Sequence, residues 1–165
     1  MATRNTRYWR RFLHNLLSVS DAPSSETSYD GVCVFTLSGR VEYRDGSFRA
    51  SSSSAGSLDV DPLQFLAIFH QLTCQAILEE TSAQQQPAAA KRPTQSVTPA
   101  LRLGDCAFHV VAATFSSVCA VASGQSRGLV AEKLPFGVLV VAFSAPQRLE
   151  AVFGRLDHAC AALRR

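Results

Sequence analysis

Between Leu101 and Phe143 the chain is dense in β-branched and apolar residues, interrupted only at short intervals. Four strand-like runs fit this stretch, near 106–113, 117–122, 128–133 and 137–143. The breaks are of hairpin length. Parallel neighbours would need a crossover of a dozen or more residues, so successive strands are expected to run antiparallel. A sheet this apolar has to be covered, and helical patterns lie on either side of the stretch in sequence.

The first of these is near the N-terminus. Tyr8/Trp9, Phe12/Leu13 and Leu16/Leu17 recur every four residues, with Arg10, Arg11, His14 and Asn15 between them. That spacing puts one broad apolar stripe on a helix, suited to docking on a sheet. Residues 1–20 also hold Arg4 and Arg7 and no acid, a composition shared with mitochondrial presequences. The bulky stripe favours a structural helix, and no apolar run of the secretory kind follows the arginines. Residues 20–28 read as a polar connector. Val32 to Phe35, the Ser38-Gly39 turn and Arg40 to Tyr43 read as a hairpin. A Ser/Gly-rich loop over 51–57 follows. Asp61-Pro62 then opens a helix reaching to Glu80, with Asp61 as N-cap and Pro62 in the first turn. Residues 81–99 contain three prolines and read as a low-complexity, flexible insertion. Ser144 and Gln147 have capping-box spacing, with Pro146 between them. The last helix carries Leu149, Val152, Phe153, Leu156, Cys160 and Leu163 as its stripe.

The order α-β-β-α-β-β-β-β-α predicts a single α+β domain over 1–165. With 47% hydrophobic and 18% charged residues, the chain is not disordered throughout. Its longest mostly apolar stretch, Phe136 to Phe143, is far short of the ~20 residues of a spanning helix, so no transmembrane segment is expected. A net charge of +3 gives no footprint of nucleic-acid binding. The five cysteines, Cys33, Cys74, Cys106, Cys119 and Cys160, show no C-x-x-C pair and sit mostly among apolar neighbours. They read as reduced, buried thiols in a cytosolic protein rather than metal ligands. No cofactor is expected.

Gly124-Gln125-Ser126-Arg127-Gly128 matches G-x-S-x-G, the nucleophile elbow of α/β-hydrolases. That motif works between a strand and a helix, with an acid and then a histidine on later loops. Here strand-like sequence follows. Asp157 and His158 are adjacent on one helix, where neighbours point about 100° apart and cannot act as orienter and base. A Gly/Ser turn accounts for the same letters, and no enzyme activity is expected.

Three blocks of the chain match, in order and spacing, the motifs of one known family. Trp9, Phe12, Leu13 and Leu17 match the spacing of that family's opening helix. Gly31, Ser38-Gly39, Val41 and Phe48 fall in register with its first hairpin, G-A-A-I…D-G-S-V-W-A…F. Ala100-Leu101-Arg102-Leu103-Gly104-Asp105-Cys106-Ala107-Phe108 is similar to its G-L-x-L-G-G-x-K-Y. The run from Arg127 to Leu134 is similar to its G-G-I-x-I-K-K-T. The strand Val138 to Phe143 and the helix from Pro146 to Leu163 complete the match, and in these blocks the chain resembles the profilins, small proteins that bind monomeric actin.

The resemblance implies a central antiparallel sheet with the N- and C-terminal helices on one face and a further helix on the other. It implies actin binding through the later strands and the start of the last helix, with Arg127, Lys133, Gln147 and Arg148 as candidate contacts. It also implies a groove for proline-rich peptides, such as those of formins, formed by Tyr8, Trp9 and Tyr43. A polyproline II segment docks on such rings because it is already ordered. The sequence departs from the family there. Glu42 replaces the hairpin tryptophan, Ala159 replaces a tyrosine of the last helix, and the C-terminal aromatic is missing. Binding of proline peptides is therefore expected to be weakened or altered. Anionic phosphoinositides would suit the N-terminal arginines, and the resemblance implies a cytoplasmic protein of the cytoskeleton. The alternative fold is a roadblock/longin-type dimerising scaffold for dynein, trafficking complexes or small GTPases, with three strands after its second helix where four are counted here.

Overall fold

The structure, a computed structural model, describes residues 3–17, 29–49, 58–83, 100–122, 126–145 and 147–165, with the backbone alone at 3–5, 17 and 74–83. Among these residues three helices and seven strands follow in the order α1 (Thr3–Leu17), β1 (Gly31–Thr36), β2 (Val41–Gly46), α2 (Pro62–Ala83), β3 (Ala100–Leu103), β4 (Cys106–Ala113), β5 (Ser117–Ala122), β6 (Arg127–Leu134), β7 (Gly137–Ser144) and α3 (Leu149–Ala161). A 3-10 turn over Ala162–Arg164 continues α3. The strands form one antiparallel sheet in the order β2-β1-β7-β6-β5-β4-β3. Each of the four late strands stands where its run of β-branched residues predicts it.

The fold is α+β, with the helices divided between the two faces as expected. Alternation along the strands decides which side chain meets which helix. Cys33, Phe35, Leu129, Ala131, Val138 and Val140 point to the α2 side and pack with Phe65, Ile68 and Phe69. Val34, Val130, Leu139 and Val141 point the other way, to Leu13 of α1 and Val152, Leu156 and Cys160 of α3. Both faces of β6 and β7 are therefore covered, and both strands are almost wholly buried. That double coverage explains why their sequences are apolar runs instead of alternating patterns.

α2 starts as its capping signals require, with the Leu63 N–H donating to Asp61 Oδ1 at 3.0 Å. It runs three residues beyond Glu80, so the first part of the 81–99 segment is helical; the remainder lies outside the described residues. Two sequence expectations are corrected. An additional strand, β3, precedes the four counted, so five strands follow α2, two more than a roadblock/longin module has. The capping box of α3 does not form. Ser144 belongs to β7, its hydroxyl engages Asp30, and the helix begins after Arg148 with no side-chain cap.

Candidate functional site

The four basic and polar candidates do not form one patch. Arg127 opens β6 opposite Ser144, the last residue of β7. From Ser144 the chain turns directly into α3, the Gln147 N–H donating to the Ser144 carbonyl at 3.2 Å. Arg127, Gln147 and Arg148 thus share one end of the sheet, with Arg148 exposed and Arg127 half-buried. The Arg127 guanidinium lies 3.8 Å from Cys106 Sγ. Lys133 is six positions along β6, roughly 20 Å away at strand rise. It sits at the opposite end, beside the β6–β7 turn.

Beside the start of α3 the sheet has an area that no described residue covers. α3 packs on β6 and β5. On the same side, Ala100 and Arg102 of β3 and Ala107, His109 and Val111 of β4 are exposed. Val111 is 53% exposed because pairing shifts between Val110 and Ala112, a bulge that turns the extra side chain outward. These residues were not singled out from the sequence, although the alternation Leu101, Leu103, Phe108, Val110 inward leaves Arg102 and His109 outward.

At the far end of the molecule, Trp9 and Phe12 of α1 meet Phe136 of the β6–β7 turn, and Tyr8 packs against both of them. Trp9 and Phe136 have ring centroids 5.8 Å apart at 45°, and Phe12 and Phe136 6.3 Å at 76°. With Val34, Phe35, Thr36 and Glu42 they line a groove of about 340 Å³. Tyr8 and Phe136 are largely exposed at 61% and 42%. Tyr43 does not line this groove. It is buried in the α1/α3 core and its hydroxyl donates to Asp45 Oδ2 at 2.9 Å. Burial pushes its phenol above the usual tyrosine range. Phe136 was missed because an aromatic residue in a two-residue turn carries no periodic signal.

The nucleophile-like motif lies elsewhere. Ser126 immediately precedes β6, which pairs antiparallel with β5, and a strand follows it. Gly124 and Gln125 lie outside the described residues. Gly128 has a packing reason: it pairs with Phe143, and a Cβ there would fall 2.4 Å from that ring. Among the described residues, no three His, Cys, Asp or Glu side chains gather where they could hold a metal ion. No described helix is long and apolar enough to cross a membrane. Among the described residues, four cysteines are free thiols. Burial pushes Cys33 and Cys160 up to about 12 and Cys119 up to about 11, which keeps all three protonated at neutral pH.

A buried ionic cluster joins the C-terminal turn to the sheet. Glu132 is fully buried, accepts from Ser117 Oγ at 2.9 Å and pairs with the Arg164 guanidinium. Arg164 also donates from Nε to the Lys133 carbonyl at 3.0 Å, and from Nη1 to Asp157 at 3.2 Å.

No family model matches the sequence, and no curated protein does. Solved structures share its fold. Loki profilin 2, in a complex with rabbit actin, aligns over 96% of both chains with a TM-score of 0.55 and 10% identity. Loki profilin 1, also in a complex with rabbit actin, aligns over 96% of both chains with a TM-score of 0.55 and 11% identity. A seven-stranded antiparallel sheet with α1 and α3 on one face and α2 on the other, alignable end to end with these proteins at so little identity, gives this chain a profilin-like fold.

Proposed function

We propose that the chain binds monomeric actin and regulates its polymerisation, by binding alone, in the cytoplasm. The observation that supports this reading is the fold it shares, over 96% of its length, with two profilins solved on actin. The contact surface would be the start of α3 with Gln147 and Arg148, extended over the exposed α3 side of β3 and β4, with Arg127 at its rim, on the α2 side of the same sheet end. It joins cations and small polar groups to exposed apolar atoms around Val111, the mixture that non-obligate interfaces use. Held at the barbed-end face of actin, the domain would block spontaneous nucleation and pointed-end addition, and would speed nucleotide exchange by loosening the actin cleft. The groove at Tyr8, Trp9 and Phe136 supports a second binding function, for proline-rich peptides. The exposed Arg7 and Arg11 of α1 suit anionic phosphoinositides.

Calorimetric titration of monomeric actin, with pyrene-actin assembly in parallel, tests the main reading. Arg148→Glu is expected to weaken binding about tenfold or more through charge reversal at the contact. No heat and no delay of assembly with the wild-type chain at about 100 μM would remove the proposal.

A further inference from the structure

The turn that carries Phe136 is held differently on its two sides. Leu134 and Gly137 close it by pairing with each other. On the β7 side, Gly137 also pairs with Thr36 of β1, so closely that a Cβ on it would fall 2.2 Å from the Phe35 carbonyl oxygen. On the β6 side the neighbouring strand has run out, since β5 begins at Ser117, opposite Glu132. Lys133 therefore passes the end of β5 with its backbone turned toward the β4–β5 turn. Its N–H donates to the Ser116 carbonyl at 2.8 Å. Its carbonyl accepts from Arg164 Nε at 3.0 Å, and Arg164 Nη2 donates to the Ser116 carbonyl at 3.3 Å. The same guanidinium pairs with Glu132 and reaches Asp157, so two carboxylates fix the fork in place.

We propose that Arg164 is a positioning residue for the aromatic groove: it stands in for the strand that β6 lacks there and so fixes the Phe136 ring against Trp9. The inference rests on reading the groove as a proline-peptide site. Phe136 is 42% exposed and meets the rings of Trp9 and Phe12, so the backbone of its turn, and not a surrounding core, decides where it stands. Pro135 before it has no N–H with which to anchor that turn. A carbonyl at a strand end needs a donor, and exchanging water would satisfy it without holding it. The planar guanidinium satisfies two carbonyls with one rigid group and ties the β4–β5 turn to β6. A peptide gains because its rings are already placed; a turn free to rock would have to be ordered as the peptide binds.

The test is a fluorescence titration of the full chain with an oligoproline, Trp9 being the single tryptophan. Arg164→Lys keeps a cation opposite Glu132 but loses the fork that spans both carbonyls. It is expected to lower oligoproline affinity about fivefold, the worth of roughly one hydrogen bond, and to raise acrylamide quenching of Trp9 in the free chain. Glu132→Gln leaves Arg164 free to hold both carbonyls and should bind oligoproline as the wild type does. Phe136→Ala should weaken binding by itself, and adding Arg164→Lys to it should cost nothing more. Wild-type affinity in Arg164→Lys, an equal loss in Glu132→Gln, or a loss that adds in full to that of Phe136→Ala overturns the inference and leaves the proline site standing. If oligoproline neither changes the wild-type Trp9 signal nor binds by calorimetry, the proline site falls and the inference with it.

Discussion

Glu132 and Arg164 carry unequal penalties if separated. Glu132 is completely enclosed, whereas Arg164 keeps 23% of its side chain in water. Removing the cation leaves a buried carboxylate without its counter-ion; removing the acid leaves an arginine that still reaches Asp157 and the Lys133 carbonyl. Arg164→Ala should therefore cost about 3–5 kcal/mol at neutral pH and Glu132→Gln much less, read from denaturant midpoints. The pH dependence has a definite sign. Burial, offset only in part by Arg164 and Ser117, raises the Glu132 carboxyl above its ordinary value of 4.5. In that interval the folded chain holds a proton the unfolded chain has lost, so stability falls as pH rises from the usual glutamate range through the folded value. Glu132→Gln should abolish this slope. The loss in Arg164→Ala should shrink on acidification, since the carboxyl can then neutralise itself. A pH-independent penalty in Arg164→Ala would show that Glu132 is not the charge being compensated.

At the scale of elements, α2 also protects an open sheet edge. β3 has a neighbour on one side alone, and its other edge would offer free amide and carbonyl groups to another chain. Gln64 of α2 occupies that edge with its side-chain amide, donating to the Arg102 carbonyl and accepting from the Arg102 N–H, both at 3.0 Å. Leu63 and Leu66 of the same helix lie beside the Gly39 turn of the first hairpin, so α2 meets the sheet toward both of its edges. Gln64→Glu keeps the acceptor geometry but puts a carboxylate against a carbonyl. It should cost about 1 kcal/mol, speed amide exchange at Arg102, and raise the tendency to associate through β3, read by hydrogen exchange and light scattering. Unaltered exchange at Arg102 would show that the edge is held by other means. This contact also marks where sequence reading stops. The four late strands were visible because each is a run of β-branched residues cut by short turns. β3 was missed because four residues with two leucines are too few to show a period. The capping box failed because Ser144 is taken by Asp30, a partner 114 residues away that no local spacing can reveal. Glu42 lines the groove where the sequence puts it, in place of the tryptophan, but Tyr43 leaves it for the core beside a bulge, which depends on pairing between strands and not on either strand's own residues.

The whole molecule places its two proposed surfaces at opposite ends of one hairpin. Arg127 and Ser144 form the end from which Gln147 and Arg148 lead into α3, and Leu134 pairs with Gly137 at the end where Phe136 meets Trp9. Eight residues of strand separate these ends by roughly 25 Å. Both strands are buried on both faces, so the hairpin is a stiff spacer. A protein partner at one end and a peptide at the other should then bind without excluding each other and with little coupling, since coupling between sites needs an element that both can bias and a stiff spacer supplies none. Lys133 belongs to the peptide end by position, which separates it from the other basic candidates. Lys133→Glu is therefore expected to leave actin affinity within about twofold of wild type, while Arg148→Glu lowers it about tenfold. Sedimentation velocity with actin and a labelled proline-rich peptide should show all three components in one boundary, with the peptide's affinity the same with and without actin. Competition between the two ligands, or a Lys133→Glu variant as damaged for actin as Arg148→Glu, would mean that one contiguous surface serves both partners.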